Sequence, residues 1–411
     1  MRLFILHIFL ITLLYGTNIC AKTQIPPDST EKKTECVQKD VLDLIFKKNI
    51  VPGISTKRKF SIIAIPVLSY SPTTGVQIGA GASLSWPWGR DIITKLSAGI
   101  IQVVWTTEKQ IIIQVKNNIY TNRNKWFLQT DWRLYIFRLP TYGLSTGSGE
   151  TAYQMLYDWI KFHNIFSREV THNVYIGIGY HLDYHYNIVD ESLSLEPGDS
   201  ILTPHYSYST LHGFDLREYW SSGISANFVF DSRDNIINAY KGIYVNVNYR
   251  YNATWLGSSQ NGSQLWTEFR TYIGLSKRVP RHLIAFWIYG SFQITGEIPY
   301  LDLMSVGFDQ MNSSGRGYKQ GRWRGEDLVY GEMEYRFPIS RCTGILGGVL
   351  FMNVTSASDR DARIPLFAYL KPGAGFGLRI MVGKHDRTNL LIDFALGQLS
   401  HGLYFQAQEI F

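Results

Sequence analysis

Three polar residues at alternate positions, His181, Asp183 and His185, are the first candidates for chemistry in this 411-residue sequence. Residues two apart lie on one face of a β-strand, and imidazole and carboxylate groups are common metal ligands. The same pattern is also typical of a strand that lines a polar, water-facing wall. We favour the polar wall, and we expect neither a metal site nor a cofactor.

A second candidate is an arginine with a glycine on each side, in the run Gly315, Arg316, Gly317 and Tyr318. The guanidinium group is a planar fork that can bind a carboxylate through two parallel hydrogen bonds. Glycine has no side chain, so both flanking positions let the backbone approach another surface closely. These residue types suit a loop that is held in place by a charge-assisted contact.

Catalysis is not indicated by the other polar residues. Ser400 and His401 are adjacent, but the sequence shows no nucleophile and base at a spacing typical of covalent catalysis. We therefore expect no catalytic residues, and we expect that the chain is not an enzyme.

The N-terminus has the parts of a secretory signal peptide. Arg2 supplies the positive charge, residues 3–15 form a short apolar run, and Ala21 is a suitable last residue before cleavage. Cys20 leaves a lipoprotein signal open as an alternative. We predict a signal peptide over residues 1–21 and export of the remaining chain.

Charge and cysteine content narrow the choice of partner and compartment. The formal net charge is +7, but the basic residues are scattered, as at Lys277, Arg278 and Arg281. Without a basic stripe we expect no nucleic-acid partner, and for an exported chain we expect contact with anionic lipid headgroups instead. After cleavage only Cys36 and Cys342 would remain. Their separation in sequence does not decide whether they pair, and we treat both as free thiols.

A period-two alternation of apolar and polar residues begins near residue 58 and continues to the C-terminus. In 242–252, for example, Ile243, Val245 and Val247 alternate with polar side chains. Strands of soluble sandwiches average about five or six residues, whereas a tilted strand needs about 9–11 to cross a bilayer. The segments here reach ten to fifteen residues. We therefore predict an all-β fold over 58–411: a single transmembrane antiparallel β-barrel of about 16 strands.

The connections between segments give the barrel an orientation. Long ones near 139–151, 189–218 and 295–324 alternate with short turns, which places the long loops outside and the turns in the periplasm. Residues 22–57 would then be a short periplasmic segment with one helix over 38–48.

The first strand contains Pro66, which has no backbone N–H to donate to a neighbouring strand. The seam between first and last strands is therefore expected to be weakly paired.

Alternation also assigns faces to the last strands. Leu403, Phe405 and the terminal Phe411 are expected to point outward, with Glu409 at the membrane interface. A terminal aromatic strand resembles the signal that outer-membrane assembly machinery reads, which makes Phe411 the candidate assembly signal.

Three passages resemble the BamA/TamA family of outer-membrane assembly and translocation barrels, also called the bacterial surface antigen family. They are residues 315–318 in the long loop between strands 11 and 12, residues 331–338 in the next strand, and a turn motif formed by Asp231, Arg233, Asp234 and Gly242. The resemblance implies that the loop folds back inside the barrel and that the motif is a periplasmic turn.

The resemblance also suggests partners for the loop arginine. Alternation directs Glu332 and Glu334 into the lumen, and Asp393 near the C-terminus fits the family pattern as well. The family usually has an acidic residue on the strand after 331–338, and here Asn353 stands in that place. The partner of Arg316 is therefore expected to be Glu332, Glu334 or Asp393.

For function, the resemblance implies a barrel of the Gram-negative outer membrane that assists insertion or export of proteins or lipids. Family members that handle proteins carry periplasmic polypeptide-transport domains, and residues 22–57 are too short for one. We expect a short member of the family that lacks these domains and works with a periplasmic partner protein that supplies them. The alternative is a structural or pore-forming outer-membrane barrel without client handling.

Overall fold

The computed structural model describes residues 39–45, 60–71, 75–88, 93–276, 279, 281–384, 386–407 and 409–411. The predicted signal peptide over 1–21 and most of the predicted segment 22–57 lie outside these ranges. Residues 37–411 form one compact unit.

The described part of the chain contains sixteen β-strands. In chain order they are β1 Ser61–Ser71, β2 Gly75–Pro87, β3 Leu96–Thr106, β4 Ile111–Tyr120, β5 Trp126–Thr141, β6 Tyr153–Thr171, β7 Val174–Asp190, β8 Tyr219–Asp231, β9 Gly242–Asn252, β10 Gly262–Gly274, β11 Leu283–Gly296, β12 Asp327–Pro338, β13 Leu346–Ala357, β14 Lys371–Gly383, β15 Thr388–Gly397 and β16 Ser400–Ala407.

The strands form one antiparallel sheet that closes into a barrel. Each strand pairs with its neighbours in sequence, and β1 also pairs with β16. Side chains alternate between the two faces along each strand. In β7, for example, Ile176 and Ile178 are exposed on the outside, whereas His181 and Asp183 are buried inside. The prediction of a 16-stranded antiparallel barrel is confirmed.

Two α-helices accompany the barrel within the described residues. Helix α1, Val41–Ile45, falls inside the helix that the sequence predicted over 38–48. Helix α2, Pro204–His212, lies in the long β7–β8 loop and was not predicted. It begins at Thr203, whose hydroxyl caps the first turn, and ends at Gly213 in the left-handed region. No described helix is long and apolar enough to cross a membrane.

Among the described residues, the pairing between β1 and β16 is much shorter than the pairing at the other junctions. Eleven residue pairs join β1 to β2, whereas the described pairing of β1 with β16 is the single pair of Tyr70 with Leu403. Pro66 lies in the middle of β1, opposite Ala80 of β2. Its missing N–H is compatible with an edge position, where no ladder bond is needed.

The C-terminus turns into the lumen, which corrects the sequence-based expectation. Leu403 and Phe405 are exposed as predicted, but β16 ends at Ala407 and Phe411 is only 3% exposed. The ring of Phe411 lies 5.4 Å from that of Trp287. The expectation that Phe411 points outward is therefore wrong, since the last residues have left the wall.

The reason for the inward turn is charge. Glu409 was expected at the membrane interface, but its Oε2 accepts a hydrogen bond from Arg379 Nε at 2.8 Å inside the barrel. Arg336 Nη2 also donates to the backbone oxygen of Phe411 at 3.1 Å. A carboxylate on the outer wall would face an apolar environment without a partner, whereas the lumen supplies two guanidinium groups.

Cys342, in the turn between β12 and β13, is disulfide-bonded. The expectation of a free thiol at this position is therefore wrong. A disulfide persists in an oxidising compartment, which agrees with an exported chain.

The buried C-terminal ring gives a test of the inward turn. Phe411→Ala removes a packed side chain, and loss of a buried phenylalanine typically costs about 3–5 kcal/mol. We expect the purified variant in detergent to convert from the compact, fast-migrating gel form to the slow form at a lower temperature than the parent. Phe405→Ala, whose ring is exposed, is the matched control. An equal decrease in both variants would contradict the inward placement.

Candidate functional site

The long β11–β12 connection, residues 297–326, carries Arg316 on a tight turn. Gly315 and Gly317 have φ angles of +76° and +101°. These values are strained for any residue that has a side chain, and glycine adopts them readily. A Cβ at Gly317 would also lie 2.7 Å from the backbone of Leu396 in β15. The flanking glycines are therefore required both for the turn and for its close approach to the barrel wall.

The guanidinium of Arg316 is bound by carboxylates from two strands. Its Nη1 donates to Asp393 Oδ2 at 2.6 Å, and its Nη2 donates to Glu332 Oε1 at 2.5 Å and to Glu334. Arg316 is 1% exposed. The structure thus brings together the loop arginine and all three acidic residues that the sequence named as alternatives.

Two residues of β13 complete the contacts of Arg316. Its guanidinium lies 3.5 Å from the centre of the Phe351 ring, within the range of a cation–π contact. Asn353 Nδ2 donates to the backbone oxygen of Arg316 at 3.0 Å. Asn353 therefore holds the loop backbone and does not pair with the guanidinium.

The site is part of a larger network of buried charges. Arg336 Nε donates to Glu334 Oε2 at 2.6 Å, and Arg379 binds both Asp393 and Glu409. Three arginines and four carboxylates therefore share one region of the lumen: Arg316, Arg336, Arg379, Glu332, Glu334, Asp393 and Glu409. Sequence reasoning did not include Arg379 and Glu409 in the site.

Tyr318 holds the same turn to the outer ends of the last strands. Its hydroxyl donates to Pro372 O at 2.6 Å and accepts from the backbone N–H of Gln398 at 3.1 Å. The N–H of Gly317 donates to the hydroxyl of Tyr404 at 3.0 Å. The whole Gly-Arg-Gly-Tyr run is therefore in contact with the wall between β12 and β16.

The middle of the loop, at Asp309 and Gln310, reaches the opposite wall. Lys116 Nζ in β4 donates to Gln310 O at 2.7 Å, and Arg133 Nη2 in β5 donates to Asp309 O at 3.0 Å. The loop consequently spans the lumen from one side to the other. The alternating pattern of β5 places Arg133 on the lumen face, which is a signal for this second anchor, but the pattern does not indicate the loop as its partner.

The turn motif at the periplasmic end of the barrel is held by hydrogen bonds within the turn. Arg233 Nε and Nη2 donate to the two carboxylate oxygens of Asp231 at 2.9 Å each. Asp234 accepts two backbone N–H groups of the same turn. Gly242 has a φ of +112°, and a Cβ there would lie 2.5 Å from a backbone oxygen of the turn. The motif therefore fixes the shape of the connection between β8 and β9.

The His-x-Asp-x-His residues line the lumen but bind different groups. The contacts are His181 Nε2 with Ser225 Oγ at 2.7 Å, Arg250 Nη1 with Asp183 Oδ2 at 2.6 Å, and His185 Nδ1 with Asp302 Oδ1 at 3.2 Å. Among the described residues, the group with metal-ligand spacing is elsewhere, at Glu326, Asp359 and Asp361. The geometry supports a polar wall at His181, Asp183 and His185.

The chain has recognisable relatives. Residues 74–396 match the Omp85 superfamily domain. The structure of BamA from Haemophilus ducreyi lacking POTRA domains 1-3 aligns over 86% of this chain and 69% of that chain, with 14% identity and a TM-score of 0.52. CdiB from Acinetobacter baumannii aligns over 86% and 60%, with 11% identity and a TM-score of 0.51. At such identities the two structures show a shared fold. No functionally curated protein matches the chain.

The loop contact predicts the effect of removing the guanidinium. Arg316→Ala leaves buried Glu332 without its arginine, whereas Glu334 and Asp393 keep Arg336 and Arg379. Breaking a buried ion pair costs about 3–5 kcal/mol, or less where water enters. We expect a folded barrel with a new protease-sensitive site within residues 300–324. Arg316→Lys should be intermediate, because an ammonium group lacks the planar fork.

Arg322→Ala is the matched control for this experiment. Arg322 lies in the same loop, but its guanidinium binds Ser148 Oγ and Gly149 O. Limited proteolysis of the folded proteins measures the result. If Arg316→Ala is as resistant as the parent, Arg316 does not tether the loop.

The acidic group at the outer end predicts a pH effect. Burial, together with the nearby carboxylate of Asp359, raises the pKa of Glu326 to about 7. A carboxyl whose pKa is raised on folding stabilises the fold below its unfolded pKa of about 4.3, and that contribution is lost as pH rises to about 7.

We therefore expect the unfolding temperature of the parent to fall between about pH 5 and about pH 8, and to fall less in Glu326→Gln. Glu150→Gln, an exposed outer-loop change, is the control. Identical pH dependence in Glu326→Gln and the parent would show that Glu326 does not titrate in this range.

Proposed function

The chain belongs to the Omp85 superfamily, and from this premise we propose that it assists the insertion or export of other proteins or lipids at the outer membrane. The observation that carries the proposal is the seam between β1 and β16. β1 and β16 pair with each other at one described position. Strands with so little pairing present backbone N–H and C=O groups that another strand can bind.

A cavity beside the seam supports the same proposal. It has a volume of about 400 Å³ and is lined by lumen residues such as Gln102 and Lys116 and by residues of the last strand such as Leu403 and Phe405. The last two side chains are exposed on the outer face of the barrel. The cavity therefore extends from the lumen to the wall at the seam, where a client could move sideways into the membrane.

The alternative of a pore-forming barrel is less well supported. The loop 297–326 crosses the lumen and contacts both walls, through Arg316 on one side and Lys116 on the other. An open channel for ions along the barrel axis would require this loop to leave. A structural role without clients is not favoured by any contact in the site, and the test below separates it from the proposal.

A periplasmic partner protein belongs to the proposal. The support is the resemblance to family members that carry polypeptide-transport domains, and the outer-membrane lipid around the barrel is the second expected partner. No nucleic-acid or cofactor role is part of the proposal.

The proposal predicts that locking the seam abolishes function. Tyr70→Cys with Leu403→Cys places two thiols at the paired position of β1 and β16. In a strain depleted of the parent protein, we expect the oxidised double variant to fail in restoring the outer-membrane proteome and lipid asymmetry, and the reduced form to restore both.

Val245→Cys with Phe269→Cys is the matched control, because these residues are paired in β9 and β10, away from the seam. This pair should support function in both redox states. Full function of the locked seam, or an unchanged outer membrane after depletion, would refute client handling and favour the structural role.

A further inference from the structure

The connection between β8 and β9, residues 232–241, is far longer than the two residues that suffice to join adjacent antiparallel strands. Much of it is also buried: Ile237, Asn238 and Ala239 are 5%, 1% and 2% exposed. A periplasmic turn that only reversed the chain would be exposed to water. We call residues 232–241 the strap.

The strap has a defined shape of its own. Asn235 Oδ1 accepts the backbone N–H groups of Ile237 and Asn238 at 2.7 and 2.9 Å. Asp234 Oδ1 accepts those of Tyr240 and Lys241. Local hydrogen bonds of this kind hold a loop in one conformation, so the strap can move as a unit.

The strap crosses the periplasmic mouth of the barrel. Its polar contacts are with the turn 384–387 between β14 and β15, although β8 and β15 are seven positions apart in the strand order. Arg387 Nη1 donates to Asp234 Oδ2 at 2.8 Å, and Asn238 Nδ2 donates to Arg387 O at 3.2 Å. The guanidinium of Arg387 also lies 4.2 Å from the centre of the Tyr240 ring.

Apolar contacts fix the strap along its length. Ala239 and Tyr240 pack in the cluster that contains Phe411 and Leu391. Ile236 packs against a second cluster around Tyr120 on the other side of the mouth. The strap therefore lies under the lumen, and Arg387 contacts it at Asp234, Asn238 and Tyr240.

The same turn 384–387 also holds helix α1. Lys384 Nζ donates to Asp43 Oδ2 at 2.6 Å, and the backbone N–H of Lys384 donates to Asp40 Oδ2 at 3.1 Å. The N–H of Lys39 binds Thr343 O in the neighbouring periplasmic turn at 2.8 Å. One short turn is thus bound by the strap on one side and by the N-terminal helix on the other.

We propose that the strap is a lid on the periplasmic mouth, that Arg387 is its latch, and that helix α1 controls the latch through Lys384. Displacement of α1, for example by a periplasmic protein that binds the N-terminal segment, loosens the turn 384–387 and lets the strap swing from the mouth. Opening requires the strap to lose its contacts with the turn 384–387 and the apolar contacts of Ile236, Ala239 and Tyr240, while it keeps its own shape and remains joined to β8 and β9.

The test measures access to the strap in the full-length protein in detergent. Ala239→Cys places a thiol at the buried centre of the strap, and a charged maleimide reports how often it is exposed. We expect slow labelling in this background and roughly tenfold faster labelling when Arg387→Ala is added, because a lost latch raises the population of the open state. The parent protein without the new thiol gives the background.

Three further variants test the role of Arg387. Arg387→Lys should be intermediate. Asp234→Asn removes the ion pair with Arg387 but keeps a side-chain oxygen that accepts the backbone N–H groups of Tyr240 and Lys241. This variant replaces Arg387→Ala in the test if Arg387→Ala does not fold. Arg360→Ala, which breaks an exposed ion pair with Asp327 at the outer end, should not change labelling.

Lys384→Ala tests the control by α1, and we expect labelling faster than in the Ala239→Cys background but slower than with Arg387→Ala. If the folded latch variants label no faster than that background, the strap is not a lid. If Arg387→Ala accelerates labelling and Lys384→Ala does not, the control by α1 is refuted. The measurement does not depend on client handling, so it can fail or succeed independently of the proposed function.

Discussion

The buried guanidinium of Arg316 is the interaction on which the interior of the barrel depends. A charge taken out of water must be paired and hydrogen-bonded, and here β12 and β15 supply the carboxylates that do so. Because the arginine belongs to the loop and its partners belong to the wall, neither satisfies its charges alone. The long outer loop therefore folds as part of the barrel interior.

The same charges explain the inward turn of the C-terminus. Arg379 binds Asp393, which holds Arg316, and also binds Glu409, which draws the last residues into the lumen. β16 ends at Ala407, and the described residues after it lie inside the barrel. The tether of the loop and the inward turn of the tail are thus consequences of one network, in which the carboxylates serve both.

The interior is closed along the barrel axis at two levels. The loop 297–326 crosses the lumen, and the strap 232–241 lies under it at the periplasmic mouth. A cavity beside the loop extends to the wall next to β1 and β16. Such an arrangement suits a protein that acts on molecules at its side in the membrane better than one that conducts along its axis.

The sequence by itself determined the barrel, because a period-two pattern records at each position whether a side chain faces lipid or lumen. It also placed Arg316 in the long loop and named Glu332, Glu334 and Asp393 as its candidate partners. Where the pattern ends, it failed: Phe411 and Glu409 were assigned by alternation, which holds only while the chain stays in the wall. The tertiary structure alone decided that Arg316 binds all three carboxylates at once, that the tail turns inward, and that the strap reaches Arg387. These contacts join residues on distant strands, and alternation fixes the face of a residue but not its neighbour across the lumen.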